Sequence, residues 1–270
     1  EGKGIREILS HAHLTRLDFA IGSAGLMRQC LTLALNHTAT RSAFGTPIAD
    51  RPMMTSVLAD MAVEVEAATL MALRVAKATD QMHDVEQETL LARIATPAAK
   101  YFNCGRAPSI ATEALQCHGG NGFIEENPMA RLFREAPLNS VWEGTSNMMC
   151  MDVRRAMMKD SRSIAALLDV AASAKWRDKR FEAMVQKTEA LIKLAIEDEF
   201  YARPMTEAVA RLLQGVELLQ HSPDDVVDLF LATRGGAGFG TYGTNYGTLG
   251  HPTISHAAAK TIVKRAMVAR

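Results

Sequence analysis

Apolar residues recur at three- and four-residue spacing along most of the chain, and the breaks in that rhythm fall at glycine and proline. Between Ala12 and Ala43 there is no proline, and Leu17, Ile21, Ala24, Met27, Leu31 and Leu35 line one helical face. Phe44-Gly45-Thr46-Pro47 ends that helix. A second helix opens near Pro52, a residue suited to a first turn. Its stripe runs through Leu58, Met61, Val65, Ala68, Ala72 and Val75 and fades near Asp80, with the charges Asp60, Glu64 and Glu66 lying off it. A third run, Asp84 to Cys117, contains Pro97 and Pro108, so either it kinks or one proline starts a new segment. Gly119-Gly120-Asn121-Gly122 stops it. Residues 123–142 are short and mixed, and Ser146 opens a further helix. Long amphipathic helices joined by short loops predict an all-α fold, a four-helix bundle over residues 1–160, with no alternating strand pattern competing.

The remainder, 161–270, predicts a helical C-terminal extension with apolar stripes over Ile164–Ala174, Phe181–Tyr201 and Ala208–Gln220. Ser222-Pro223-Asp224-Asp225 reads as a helix entry, with Ser222 as cap, Pro223 in the first turn and two acids at the positive end of the dipole. Residues 235–250 hold seven glycines in sixteen positions and predict a mobile loop, before a last helix from about Thr253.

Composition narrows the class without naming a function. The 270 residues are 48% hydrophobic and 22% charged, which excludes intrinsic disorder, and four cysteines are too few for a disulfide scaffold. No uninterrupted apolar run is long enough to span a bilayer, so no membrane partner is expected. The thiols fit a reducing, cytoplasmic setting. The net charge is zero, but residues 1–150 carry 13 basic and 16 acidic side chains while 151–270 carry 17 and 14. A solvated helical surface accounts for so small an asymmetry. The opening Glu1-Gly2-Lys3-Gly4 reads as a join within a longer protein.

Several candidate motifs dissolve on inspection. Gly238-Phe239-Gly240-Thr241-Tyr242-Gly243 fits G-x-G-x-x-G but lacks the strand that a dinucleotide fingerprint needs before it. Cys104, Cys117, His118 and Cys150 show no zinc-ligand spacing, so no metal is expected. Three short stretches carry more: Arg41-Ser42-Ala43-Phe44-Gly45, Gln116-Cys117-His118-Gly119-Gly120-Asn121-Gly122, and Trp142-Glu143-Gly144-Thr145-Ser146-Asn147. Arg41 at a helix end offers a guanidinium to a phosphate, and the Gly119–Gly122 turn lets backbone approach a ligand closely. Glu143 is the one acid between Ala136 and Met151 and sits beside Trp142. A carboxylate in apolar surroundings has a raised pKa and serves as a general base.

Together, in this order, the three stretches resemble the acyl-CoA dehydrogenase family over roughly residues 1–157, its C-terminal four-helix domain. The resemblance implies that Arg41 holds the FAD pyrophosphate of a neighbouring subunit with Phe44 beside it. It places Gln116, Gly119 and Gly120 along that same flavin, and Thr145 and Asn147 against FAD. Glu143 is implied as the base that removes the α-proton of an acyl-CoA thioester while the β-hydride moves to flavin. A homotetramer, a dimer of dimers, is implied as the assembly. Some members carry the base on the first helix of this domain, where this chain reads Leu14-Thr15-Arg16-Leu17, without a carboxylate. The flavin and acyl chain lie between this domain and two others in the family, so this part alone is expected to bind flavin poorly and to be inactive.

The chain departs from the family pattern in two places. Arg51-Pro52 stands where His-Gln usually follows R-x-x-F-G, and Ser161–Arg270 adds 110 residues beyond the usual end. Trp142, Asn147-Met148-Met149-Cys150-Met151-Asp152-Val153 and Thr233-Arg234-Gly235-Gly236 are similar to the AidB-like, alkylation-response branch of the family. That branch implies double-stranded DNA as an alternative partner, contacted by Arg155 and Arg234, with little or vestigial dehydrogenase activity.

Overall fold

The computed structural model describes residues 2, 4–175, 178–235 and 255–267. The periodic stripes become three long helices, α1 (Gly4–Thr40), α2 (Pro52–Gln81) and α3 (Glu86–Cys117), each packed against the other two. Leu17, Ala24, Met27, Leu31 and Leu35 of α1 are buried, whereas Ile21 stays 39% exposed, so the core-facing stripe is narrower than the spacing predicts. The α2 stripe is buried throughout. Asp60 and Glu64, expected off the stripe, are buried too.

α3 answers the question left by its prolines: it is one helix with both Pro97 and Pro108 inside. Each interior proline costs about 3 kcal/mol in a helix. Near-continuous burial from Leu91 to Cys104 offsets that cost through tertiary packing.

Between α1 and α2 the chain makes a small hairpin that no alternation announces. β1 (Ser42–Ala43) pairs antiparallel with β2 (Thr46–Pro47) across Phe44 and Gly45, at φ 55° and 85°. Two successive left-handed residues form the kind of tight turn whose twist matches paired strands. After α3, Asn127 caps α4 (Pro128–Glu135) by accepting from the Met129 amide at 2.9 Å. Thr145 occupies the N-cap of α5 (Ser146–Lys159).

The extension folds as α6 (Arg162–Lys175), α7 (Lys179–Glu197), α8 (Ala202–His221), α9 (Asp224–Arg234) and α10 (His256–Ala266). α8 packs on α2, α3 and α5, so a single hydrophobic cluster continues from the bundle into the extension. The entry to α9 differs by one residue from expectation: Pro223 is the cap, and the Ser222 hydroxyl instead donates to the Glu66 carboxylate at 2.6 Å. The Gly238–Gly243 motif and most of the glycine-rich stretch lie outside the described residues.

One glycine in α8 is there for space. A Cβ on Gly215 would lie 2.7 Å from the Phe181 ring of α7. Helix propensity alone favours Gly→Ala by about 1 kcal/mol. We expect Gly215→Ala instead to destabilise by about 1–3 kcal/mol through overpacking, read as a lower Tm; an unchanged or raised Tm refutes it.

Candidate functional site

Glu143 lies just before α5 on left-handed backbone, φ 56°, followed by Gly144 at φ 106°. A non-glycine residue there costs of order 1–3 kcal/mol and persists only where its surroundings over-determine it. Three successive carbonyls supply that constraint. Glu143 O accepts from Arg16 Nε at 3.1 Å, while Trp142 O and Gly144 O both accept from Lys100 Nζ, at 2.6 and 2.5 Å. Arg16 is itself fixed by Asp152 Oδ2 at 2.8 Å, whose Oδ1 takes Arg93 at 2.6 Å.

The Trp142 ring stacks on Phe19 of α1, centroids 4.7 Å apart. The Glu143 side chain is exposed, as are Thr145 and Asn147. The apolar enclosure expected from Trp142 is therefore not built by this chain around the carboxylate. Lys100, by contrast, is 1% exposed. Burial lowers its pKa below the ordinary lysine value, aided by Arg16 and opposed by Cys104 and Glu143.

Arg41, Phe44, Gln116, Gly119 and Gly120 form a second group. The rings of His37, one turn before Arg41, and His118, next to Gly119, stand 4.6 Å apart, which brings the helix end and the glycine turn together. Arg41, Gln116, Gly119 and Gly120 are exposed, Phe44 is 93% exposed, and a Cβ at either glycine would meet open space. Arg51 explains its own departure from the family pattern. Its Nη2 donates to the Ala43 and Phe44 carbonyls at 3.2 and 3.0 Å, holding the hairpin.

The two groups are far apart. Arg16 and Thr40 lie on one unbroken helix, and at about 1.5 Å per residue that separates them by roughly 36 Å. That separation keeps Glu143, held by Arg16, far from Arg41 along α1.

The two arginines expected to meet DNA lie in opposite environments. Arg155 is exposed and lines a groove of about 820 Å³ together with Arg16, Arg93, Lys159, His13 and Asp152. Burial, with Arg93 and Arg16 adding to it against Asp152, lowers His13 to about 4. Arg234 is 8% exposed and points inward, to Asp60 Oδ1 at 2.6 Å and Glu64 Oε2 at 3.0 Å. No exposed guanidinium is left at 234 for a phosphate. A helix-end arginine normally reaches solvent, and nothing in its local sequence marks this one as buried.

Cys30, Cys104, Cys117 and Cys150 are free and buried. Burial raises Cys30 and Cys117 to about 12 and Cys104 to about 11, which makes them poor nucleophiles. Among the described residues no three His, Cys, Asp or Glu converge as a metal site, and no helix is long and apolar enough to cross a membrane.

Sequence reasoning missed Arg16 and Lys100. Lys100 had a signal: it is a lone charge in the apolar run from Ile94 to Phe102. Arg16 had none, because the stretch holding it drew attention only for lacking a carboxylate.

The model of the acyl-CoA dehydrogenase C-terminal domain matches residues 2–158. The putative acyl-CoA dehydrogenase AidB of Escherichia coli (strain K12) is 36% identical over 240 residues, covering 87% of this chain and 44% of that protein. The crystal structure of Caenorhabditis elegans ACDH-11 in complex with C11-CoA matches with a TM-score of 0.77 at 23% identity, over 86% of this chain and 44% of that one. An acyl-CoA dehydrogenase complexed with FAD from Bacillus anthracis matches with a TM-score of 0.64 at 17% identity, over 98% and 48%. The chain thus spans less than half the length of each of these three. With the family's C-terminal domain matched over more than half of its residues, this chain belongs to the acyl-CoA dehydrogenase family.

Proposed function

We propose that the full-length protein is an FAD-dependent oxidoreductase that dehydrogenates acyl-CoA thioesters at the α,β-position, with Glu143 as the base. The observation that carries this reading is the Glu143 backbone, left-handed and tied through three successive carbonyls to buried or ion-paired cations. Such strain at a family motif position is characteristic of residues under functional constraint. The Glu143 carboxylate takes the proton from Cα, the electrons of that Cα–H bond form the double bond, and the β-hydrogen departs with its electron pair. FAD supplies the two-electron oxidant when bound. The fit of this chain to that group rests on exposed Arg41 as a pyrophosphate partner and on the open glycine backbone at 119 and 120. The distance along α1 favours these residues serving a second subunit's flavin, in line with a dimer of dimers. The same reading divides the chain near residue 160, with residues 161–270 as the branch-specific part. The test is anaerobic mixing of full-length flavoprotein with a panel of acyl-CoAs, isovaleryl-CoA included. Bleaching of the flavin by at least one is expected; none bleaching it overturns the reading.

A second reading rests on the groove beside Arg155, where Arg16, Arg93, Arg155 and Lys159 outnumber Asp152. Duplex DNA is the proposed ligand, with affinity falling as salt rises because phosphate contacts release counterions. Binding that is absent, or insensitive to salt, overturns it. Arg234 has no part in this reading.

A further inference from the structure

A buried ammonium is costly unless hydrogen-bonded and paired, and Lys100 has no carboxylate within ion-pairing distance among the described residues. Its acceptors are the main-chain carbonyls on either side of Glu143. Two carbonyls that flank one residue reach a single ammonium only if the chain turns sharply between them. The left-handed φ values at Glu143 and Gly144 are that turn. The intervening carbonyl goes to Arg16, and Trp142 is anchored on Phe19, so the peptide planes around Glu143 have little freedom left.

We propose that Lys100 is a positioning residue for Glu143, converging the Trp142 and Gly144 carbonyls on its ammonium so that the turn presents the carboxylate to substrate. This rests on the reading of Glu143 as the base. Lys100 is buried and its ammonium donates to the turn's carbonyls, so in this proposal it acts through the turn.

The test uses the full-length flavoprotein carrying Lys100→Met, and Lys100→Gln as a variant that keeps a donor. Amide hydrogen exchange is followed over residues 141–146, with α3 as internal reference, beside stopped-flow flavin bleaching by the acyl-CoA that reduces wild type fastest. For Lys100→Met, exchange over 141–146 rises at least tenfold while α3 is unchanged. Bleaching at saturating substrate slows by about 10²-fold, the size expected for a reacting group displaced by about 1 Å, with KM nearly unchanged. Lys100→Gln recovers part of both, and decides the matter alone if Lys100→Met does not fold. Wild-type exchange and rate in a folded variant overturn the proposal, and so does a raised KM with unchanged maximal rate. If no acyl-CoA bleaches the wild-type flavin, the base assignment has failed; unchanged exchange in the variants then overturns the positioning role as well, and raised exchange upholds it for the turn.

Discussion

Replacing Glu143 with glutamine in the full-length protein is expected to slow flavin bleaching by acyl-CoA by about 10³-fold or more. A positioned general base contributes roughly 10²–10⁴-fold, and glutamine keeps the shape while losing the ability to take a proton. The Glu143 side chain is exposed, so the exchange belongs among surface changes that shift stability by no more than about 0.5 kcal/mol. Flavin content and Tm therefore stay at wild-type values, and the loss is one of chemistry. The α1 stretch Leu14-Thr15-Arg16-Leu17 holds no carboxylate, and Arg16 points its guanidinium at the Glu143 carbonyl and Asp152. Bleaching that survives Glu143→Gln within tenfold of wild type places the base elsewhere.

The helices were legible because burial at three- and four-residue spacing leaves a periodic trace, and the α2 stripe is buried as its spacing predicts. What the spacing does not encode is which residues meet across the fold. Asp60 and Glu64 read only as charges off the stripe because their partners lie 42 to 174 residues away, on α3 and α9. α3 stays whole through Pro97 and Pro108 because packing on its neighbours outweighs a local preference. At the site, the motif singles out Glu143 in the sequence, whereas the contacts that hold its backbone leave no trace there beyond the lone charge of Lys100 in an apolar run. Lys100 acts 43 residues before Glu143 and Arg16 acts 127 residues before it, both through main-chain carbonyls that carry no residue identity. The α1 helix sets Arg41 far from Glu143, a separation that the order of motifs along the chain does not encode.

The largest stability loss is expected from Glu64→Leu. Glu64 of α2 is buried between Arg106 of α3, at 3.0 Å, and Arg234 of α9, whose Nε and Nη2 lie 3.1 and 3.0 Å from Oε2. Arg211 of α8 donates to the Arg234 carbonyl at 3.1 Å. One carboxylate thus holds charges from the bundle and the extension, and removing it leaves guanidiniums buried with Asp60 as the remaining nearby acid on α2. Breaking a buried pair in this way costs about 3–5 kcal/mol. Arg106 and Glu64 are in direct contact, so their losses are coupled, and the double variant with Arg106→Leu as well should be less destabilised than the two single losses added together. The pH dependence follows from the same cluster. Burial pushes the Glu64 carboxyl up, but Arg106, Arg234 and Arg211 outweigh it and hold it at about 2, against 4.5 for an ordinary glutamate. A depressed native pKa gives stability that is complete above about 4.5 and drains away as pH falls toward 2. Glu64→Leu lacks that contribution at every pH, so the gap in urea midpoint between wild type and variant is widest at pH 7 and narrows between pH 4.5 and 2. A gap that stays constant with pH, or a variant as stable as wild type at pH 7, means the arginines do not depend on Glu64 for their compensation.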